Sequence, residues 1–196
     1  MKSFAEIFRS HCIFDANGRH TGGTDRESNH HYGDAYQSLF PDPLAVKLLM
    51  EVGNADGAGL LAFRECFQAA HCVGLDIERC ACHPGPRLEF HQGDQRSQEA
   101  CERAAAGRWF DVIVEDARHT TENTLLTLFW IWPFVKPGGV YIVEEWANVC
   151  SDRANILALW PFAEILDTIG PSGGTEPLVV LRKPFITEHD GVAKFT

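Results

Sequence analysis

A doubly wound, mostly parallel α/β sheet is the fold class this sequence predicts, and three observations carry it. Segments 48–52, 72–76, 110–114 and 140–144 are near-continuous apolar runs, the mark of strands covered on both faces. Stretches with helical spacing separate several of them, so right-handed βαβ crossovers follow. The strands run into acidic residues, at the carboxyl edge where an open α/β sheet binds its ligands.

The elements follow in chain order. Residues 1–40 are polar and mixed, with a Gly-Gly-Thr-Asp turn at 22–25. PLAVKLLMEVG, 43–53, runs into a strand that stops at Gly53. Leu60, Phe63 and Phe67 recur at helical spacing in 59–70. HCVGLDIE, 71–78, and RLEFHQGD, 87–94, read as strands ending at Asp76 and Asp94. SQEACERAAAG, 97–107, reads as a helix with Gly107 as its C-cap. FDVIVED, 110–116, is the next strand, and 120–132 is a helix stopped by Pro133. Pro137-Gly138-Gly139 predicts a turn into the strand VYIVEE, 140–145. PLVVLRK, 177–183, closes the sheet as a C-terminal antiparallel hairpin, although AEILDTIG at 163–170 fits the end of a helix equally well.

The chain has 196 residues, 45% hydrophobic and 22% charged, which fits one soluble domain with a substantial core. Its net charge of −10 argues against a nucleic-acid partner, whose phosphates need clustered Lys and Arg. No run approaches the ~20 apolar residues of a membrane span. The first nine residues lack the apolar core of a secretion signal, so a cytoplasmic protein with reduced thiols is expected. Seven cysteines cannot form a complete disulfide framework. Cys72 with Cys80-Ala81-Cys82-His83 matches none of the usual structural-zinc spacings.

The candidate chemistry lies at the strand ends. Glu51-x-Gly53-x-x-x-Gly57-x-Gly59 is a glycine-rich turn, including Asn54, where backbone can approach a ligand. Its spacing fits neither the dinucleotide fingerprint nor the P-loop. Asp76, 23 residues after Gly53, stands where an acid accepts ribose hydroxyls, so turn and acid together read as an adenosine pocket. Asp116, Glu144 and Glu145 end two further strands. If those strands are neighbours, their carboxylates converge and call for a cation such as Mg²⁺. The alternative is an ordinary strand end with Glu144 and Glu145 on opposite faces. His119, three residues past Asp116, is a natural general base beside a metal-binding carboxylate, or else a helix cap.

Taken in order, Thr24-Asp25-Arg26, His30-His31-Tyr32, Glu51-Val52-Gly53, Gly93-Asp94-Gln95, Glu115-Asp116-Ala117-Arg118-His119 and Lys136-Pro137-Gly138-Gly139 into Glu144-Glu145 form one pattern. It resembles the metal-dependent class I S-adenosylmethionine methyltransferases of natural-product tailoring, of the macrolide and sugar O-methyltransferase type. The resemblance implies a Rossmann-like catalytic domain over 41–196, with 1–40 as a lid and substrate segment. It implies S-adenosylmethionine held by Tyr32, Glu51, Gly53, Asn54, Gly57, Asp76, Ile77, Asp94 and Gln95. It implies Mg²⁺ on Asp116, Glu144 and Glu145, His119 as base, and a hydroxyl of a small natural product or sugar as acceptor. This chain has Glu at 115 and 145 where the family usually has Asp. Two other readings stay open: a methyltransferase fold turned to cyclisation, isomerisation or hydroxylation, and a non-catalytic protein that binds the same cofactor. The acceptor's identity and the oligomeric state, a homo-oligomer included, stay open as well. Trp130 and Trp132 read as core or interface rather than as a substrate platform.

Overall fold

The computed structural model describes residues 2–80, 84–146, 149–170, 173, 175–189 and 192–195, with 149–152, 175, 186–189 and 192–195 described through their backbone alone. Seven strands form the main sheet: β3 (Leu48–Val52), β4 (His71–Asp76), β5 (Leu88–Gln92), β6 (Phe110–Glu115), β7 (Val135–Val143), β8 (Ala163–Ile169) and β9 (Thr175–Arg182), in the order β5-β4-β3-β6-β7-β9-β8. The first five are parallel, and β9 runs antiparallel to both β7 and β8.

The chain winds outward from β3 to β5, then returns to the other side of β3 with β6. The order therefore reverses between β3 and β6, and the crevice at their carboxyl ends is where ligands bind in such sheets. In register, Val52 of β3 lies beside Glu115 of β6, and Glu115 beside Val143 of β7. The acid-rich loops after these three strands are thus neighbours.

Side chains alternate between two cores, as the period of two requires. On one face Leu49, Cys72, Val112 and Ile142 pack under α1 (Phe4–Ser10), α2 (Gly33–Leu39) and α3 (Ala58–Cys66). On the other, Met50, Val73, Ile113 and Tyr141 pack under α4 (Gln98–Ala105) and α5 (Thr121–Ile131). A further helix, α6 (Val149–Leu159), precedes β8.

Residues 1–40 hold more structure than their polar composition suggests. Ser3 caps α1 in a reciprocal capping box with Glu6. The rings of Phe4, Phe8 and Tyr36 interlock with Phe63 and Phe67, with centroids 5.3–5.7 Å apart at the Phe4–Phe67, Phe8–Phe63 and Tyr36–Phe63 contacts. A hairpin of β1 (Cys12–Phe14) and β2 (His20–Gly23) stands beside the glycine turn, where Gly23 N–H donates to Asp56 at 3.3 Å. A second two-stranded ribbon, β10 (Ile186–His189) and β11 (Val192–Phe195), follows the sheet.

Two boundaries differ from expectation, and one open choice is settled in favour of the expected C-terminal hairpin. Helix α3 ends at Cys66, and Phe67 to Ala70 form a turn into β4. Pro137-Gly138-Gly139 lies inside β7, where the register with β6 shifts between Phe110 and Val112, so it is a kink in a longer strand and not a separate turn. AEILDTI is a strand, β8, whose alternating exposure suits an edge with one face to solvent. Among the described residues no helix is long and apolar enough to cross a membrane. Cys12, Cys66, Cys72 and Cys101 are free thiols, and burial pushes the Cys72 thiol up to about 12, as befits an inert core residue. Cys82 and His83 lie outside the described residues.

Candidate functional site

The site begins with a close crossing of backbones. Gly53 leaves β3 at φ +85°, and a Cβ there would lie 2.3 Å from the carbonyl oxygen of Asp116. Only glycine allows this conformation and this approach together. Gly57, at φ +87°, then starts α3.

Beneath the crevice lies a buried charge cluster centred on Arg26. Its Nη2 is 2.8 Å from Glu51 Oε1, from Asp116 Oδ2 and from Glu144 Oε2, while its Nε donates to Glu144 Oε1 at 2.8 Å. Tyr36 donates its hydroxyl to the same Glu144 oxygen. The Phe63 ring faces the guanidinium from below at 4.5 Å. Burial works against the charge on Arg26, but Glu144, Glu51 and Asp116 outweigh it and hold its pKa well above the ordinary value. One cation does not balance three carboxylates. Burial pushes Glu51 up to about 7 despite Arg26. Burial, reinforced by Glu144, pushes Asp116 well above the carboxylate range. The cluster therefore carries an excess of negative charge that favours a further proton or cation.

Above it lies an outer group open to the crevice. Asp116, His119 and Glu145 each offer one ligand atom within 4.8 Å of the others. Glu145 adopts φ +51°, a strained backbone for a side chain of this size, which persists only where the surroundings enforce it. Its Oε2 is 3.2 Å from His119 Nε2, and its Oε1 is 3.2 Å from His30 Nε2. His119 does not cap α5, because Thr120 does so by accepting from Asn123 N–H. Of the three carboxylates expected to converge, Asp116 and Glu145 meet at the crevice. Glu144 turns into the core with its side chain 1% exposed, and Arg26 occupies it. Adjacent residues at a strand end thus serve opposite sides.

A cavity of about 510 Å³ runs from Asp116 and His119 along the carboxyl edge to Asp76. Gly53, Asp76, Ile77, Asp94 and Gln95 line it, together with Asp116 and His119. Asp76 Oδ2 accepts from the backbone N–H of Asn54 and Ala55, both at 2.8 Å, and Oδ1 accepts from Glu78 N–H at 2.8 Å. About four acceptor positions exist on a carboxylate, so room remains for a ligand hydroxyl. Gln95 donates to Glu115 and Thr127 and accepts from Arg118 N–H, which fixes the loop at the cavity floor. Burial pushes the Glu115 carboxyl up to about 7.

Tyr32, Glu51, Asn54 and Gly57 are not among the lining residues. Tyr32 is buried and stacked on His30, with centroids 5.1 Å apart. Glu51 belongs to the Arg26 cluster, and Asn54 reaches Asp76 only through its backbone. Conversely, Glu78, Arg96 and Asn123 line the cavity without having been singled out, Arg118 of the Glu115–His119 motif lines it too, and Arg26 had no role assigned to it. Formal charge could have flagged Arg26, since three acids at strand ends need a cation.

The residues of the site fit two kinds of group. The cavity's acids, Asp76, Glu78, Asp94 and Asp116 against Arg96 and Arg118, suit a nucleoside ligand carrying positive charge. The oxygen donors of Asp116 and Glu145, beside a cluster with excess negative charge, suit a hard divalent cation.

No family model matches the chain. It is 30% identical over 91 residues to a demethylmacrocin O-methyltransferase of Streptomyces fradiae, covering 45% of this chain and 23% of that protein. It is 26% identical over 132 residues to the 8-demethyl-8-alpha-L-rhamnosyl tetracenomycin-C 2'-O-methyltransferase of Streptomyces olivaceus, covering 63% of this chain and 35% of that one. Among solved structures it resembles the MycE methyltransferase of the mycinamycin pathway, in complex with Mg and SAH, at TM-score 0.61 and 22% identity, over 82% of this chain and 39% of that one. The chain spans about a quarter to a third of the length of these curated relatives. The fold is the α/β fold of S-adenosylmethionine methyltransferases, with antiparallel strands at the C-terminal end.

Proposed function

We propose that this chain is the catalytic part of an S-adenosylmethionine-dependent, Mg²⁺-dependent O-methyltransferase that acts on a hydroxyl of a small natural-product or sugar substrate. One observation carries the reading: His119 and Asp116, whose ligand atoms lie within 4.8 Å of one from Glu145, line a cavity that also presents Asp76. The likeness to natural-product O-methyltransferases supports it.

In this reading Asp76 accepts ribose hydroxyls, and Gly53, Ile77, Asp94 and Gln95 line the cofactor's path. Glu51, Asn54 and Gly57 hold that lining in shape from behind. Residues 1–40 act as lid and substrate segment, with Tyr32 in the closing part, on a catalytic domain of 41–196. Asp116 and Glu145 hold the cation, while Glu144 serves as the counter-ion of Arg26. When bound, S-adenosylmethionine supplies an electrophilic methyl group, and a divalent cation acidifies and orients an acceptor hydroxyl.

The chain's own contribution is alignment and proton removal. His119 accepts the hydroxyl proton at a ring nitrogen, and Glu145, 3.2 Å from Nε2, orients the ring and stabilises its charged form. Positioning two reactants is worth up to ~7–11 kcal/mol where alignment is good. The net charge of −10 disfavours nucleic acid as the acceptor. Incubation with the cofactor, Mg²⁺ and a panel of deoxysugar-bearing macrolides, read by mass spectrometry, tests the proposal. A gain of one methyl that is lost in His119→Ala supports it, and a gain that survives in His119→Ala removes the assigned base.

A further inference from the structure

His30 lies behind the crevice with its side chain 9% exposed, and three carboxylates face it, Asp25 from its own segment and Glu145 and Glu176 from distant ones. Nε2 is 3.3 Å from Asp25 Oδ2 and 3.2 Å from Glu145 Oε1. Both oxygens accept, so Nε2 carries a proton, and Asp25 alone suffices to take it, which leaves Glu145 Oε1 free for another partner. Nδ1 is different. It is buried, has no hydrogen-bond partner, and faces Glu176 Oε2 at 3.7 Å. A bare Nδ1 lone pair facing a carboxylate is repulsive unless a positive charge, a proton or a metal ion, lies between them.

The spacing says which kind of charge fits. At 3.7 Å the pair is too far apart for an N–H···O hydrogen bond. Two donors on one tetrahedral ion, with bonds of ~2.0–2.2 Å, stand roughly 3.3–3.6 Å apart. His30, Glu145 and Glu176 each offer a donor atom within 4.8 Å of the others. The Nε2–H held by a carboxylate is also what a metal-binding imidazole usually has on its other nitrogen, where it fixes tautomer and ring direction. Stacking of Tyr32 on the ring at an interplanar angle of 20° adds to that fixation.

We propose that His30 Nδ1 and Glu176, completed by Glu145, form a second divalent-cation site, distinct from the one at Asp116. An imidazole among carboxylates suits a borderline transition ion such as Zn²⁺ better than Mg²⁺. The ion ties three segments together: the N-terminal segment through His30, the end of β7 through Glu145, and the β8–β9 hairpin through Glu176. Thr168 of that hairpin already donates to His30 O at 3.0 Å, so the segments are in place. Glu145 spans both sites, one oxygen toward His30 and the other toward His119. The site does not depend on the methyl-transfer reading.

Metal-stripped protein, labelled with ¹⁵N in its histidine rings and kept in saturating Mg²⁺, is titrated with Zn²⁺ and followed by NMR. His30 is assigned by its absence in His30→Gln. The expected result is a shift of the His30 Nδ1 resonance that saturates at one equivalent, with a rise in Tm. Glu176→Gln, checked for native circular dichroism, should weaken that response at least tenfold. A His30 Nδ1 resonance that does not move with Zn²⁺, or moves equally in Glu176→Gln, overturns the proposal. So does a protonated Nδ1 throughout, which would make His30 a plain imidazolium ion pair.

Discussion

Glu145 Oε2 lies 3.2 Å from His119 Nε2, although Glu145 must adopt φ +51° to present it. Strain of ~1–3 kcal/mol is tolerated where function or packing over-determines the geometry. This contact joins the end of β7 to the loop after β6 and sets the direction of the imidazole. The account predicts that His119→Ala cuts methyl transfer by ~10²–10⁴-fold with little change in Tm. Thr120→Ala should do the reverse, costing about 1 kcal/mol of stability through the lost cap. Parallel single-turnover and melting measurements on the two variants separate the roles. Equal turnover in parent and His119→Ala would end the assignment.

Arg26→Met should be strongly destabilising. It leaves Glu51, Asp116 and Glu144 without their shared cation, and breaking a buried pair costs ~3–5 kcal/mol. Urea unfolding measures this directly. A loss below 1 kcal/mol would mean that the three acids are neutral or solvated without Arg26.

Gly53→Ala should lose at least ~2 kcal/mol, because a left-handed backbone is unfavourable for alanine and its Cβ meets Asp116 O at 2.3 Å. Relief of that clash pushes β3 and β6 apart at the crevice, so cofactor affinity should fall as well. Calorimetry on the variant checks both effects.

The acid side of the stability curve should involve Glu89. Partial burial works against its ionisation, but hydrogen bonds from Arg108 and His91 outweigh it and hold the group down at about 2. An unfolded Glu titrates near ~4.3. The folded value is the lower one, so the unfolded chain binds the proton first. The stabilisation is complete above ~4.5 and is lost as pH falls through about 2. Glu89→Gln should flatten this limb and lower stability near pH 7 by the amount the limb no longer loses. An unchanged acid limb would remove Glu89 from the account.

What the sequence revealed follows the range of the interactions. Strands β3, β4, β6 and β7 were legible because burial on both faces leaves an apolar run. The ligand edge at the strands' carboxyl ends, Gly53 and Asp76 were legible because a parallel sheet places them. The strand β8 was ambiguous because a half-exposed edge strand and a helix end both tolerate AEILDTI. Helices α1 and α2, seven residues each, are held by Phe4, Phe8 and Tyr36 against α3, a tertiary contact that no local pattern announces. Arg26 stood in plain view inside a motif. Its role depends on Glu144, 118 residues away, and on which way adjacent acids turn.

Calorimetric titration with S-adenosylmethionine, with and without Mg²⁺, on parent and Asp76→Ala protein, tests the central claim most directly. The account predicts binding by the parent, tighter or with altered enthalpy when Mg²⁺ is present, and more than tenfold weaker binding by Asp76→Ala through loss of charge-assisted ribose bonds. Equal affinity in Asp76→Ala, or tighter binding of NAD than of S-adenosylmethionine, would contradict it.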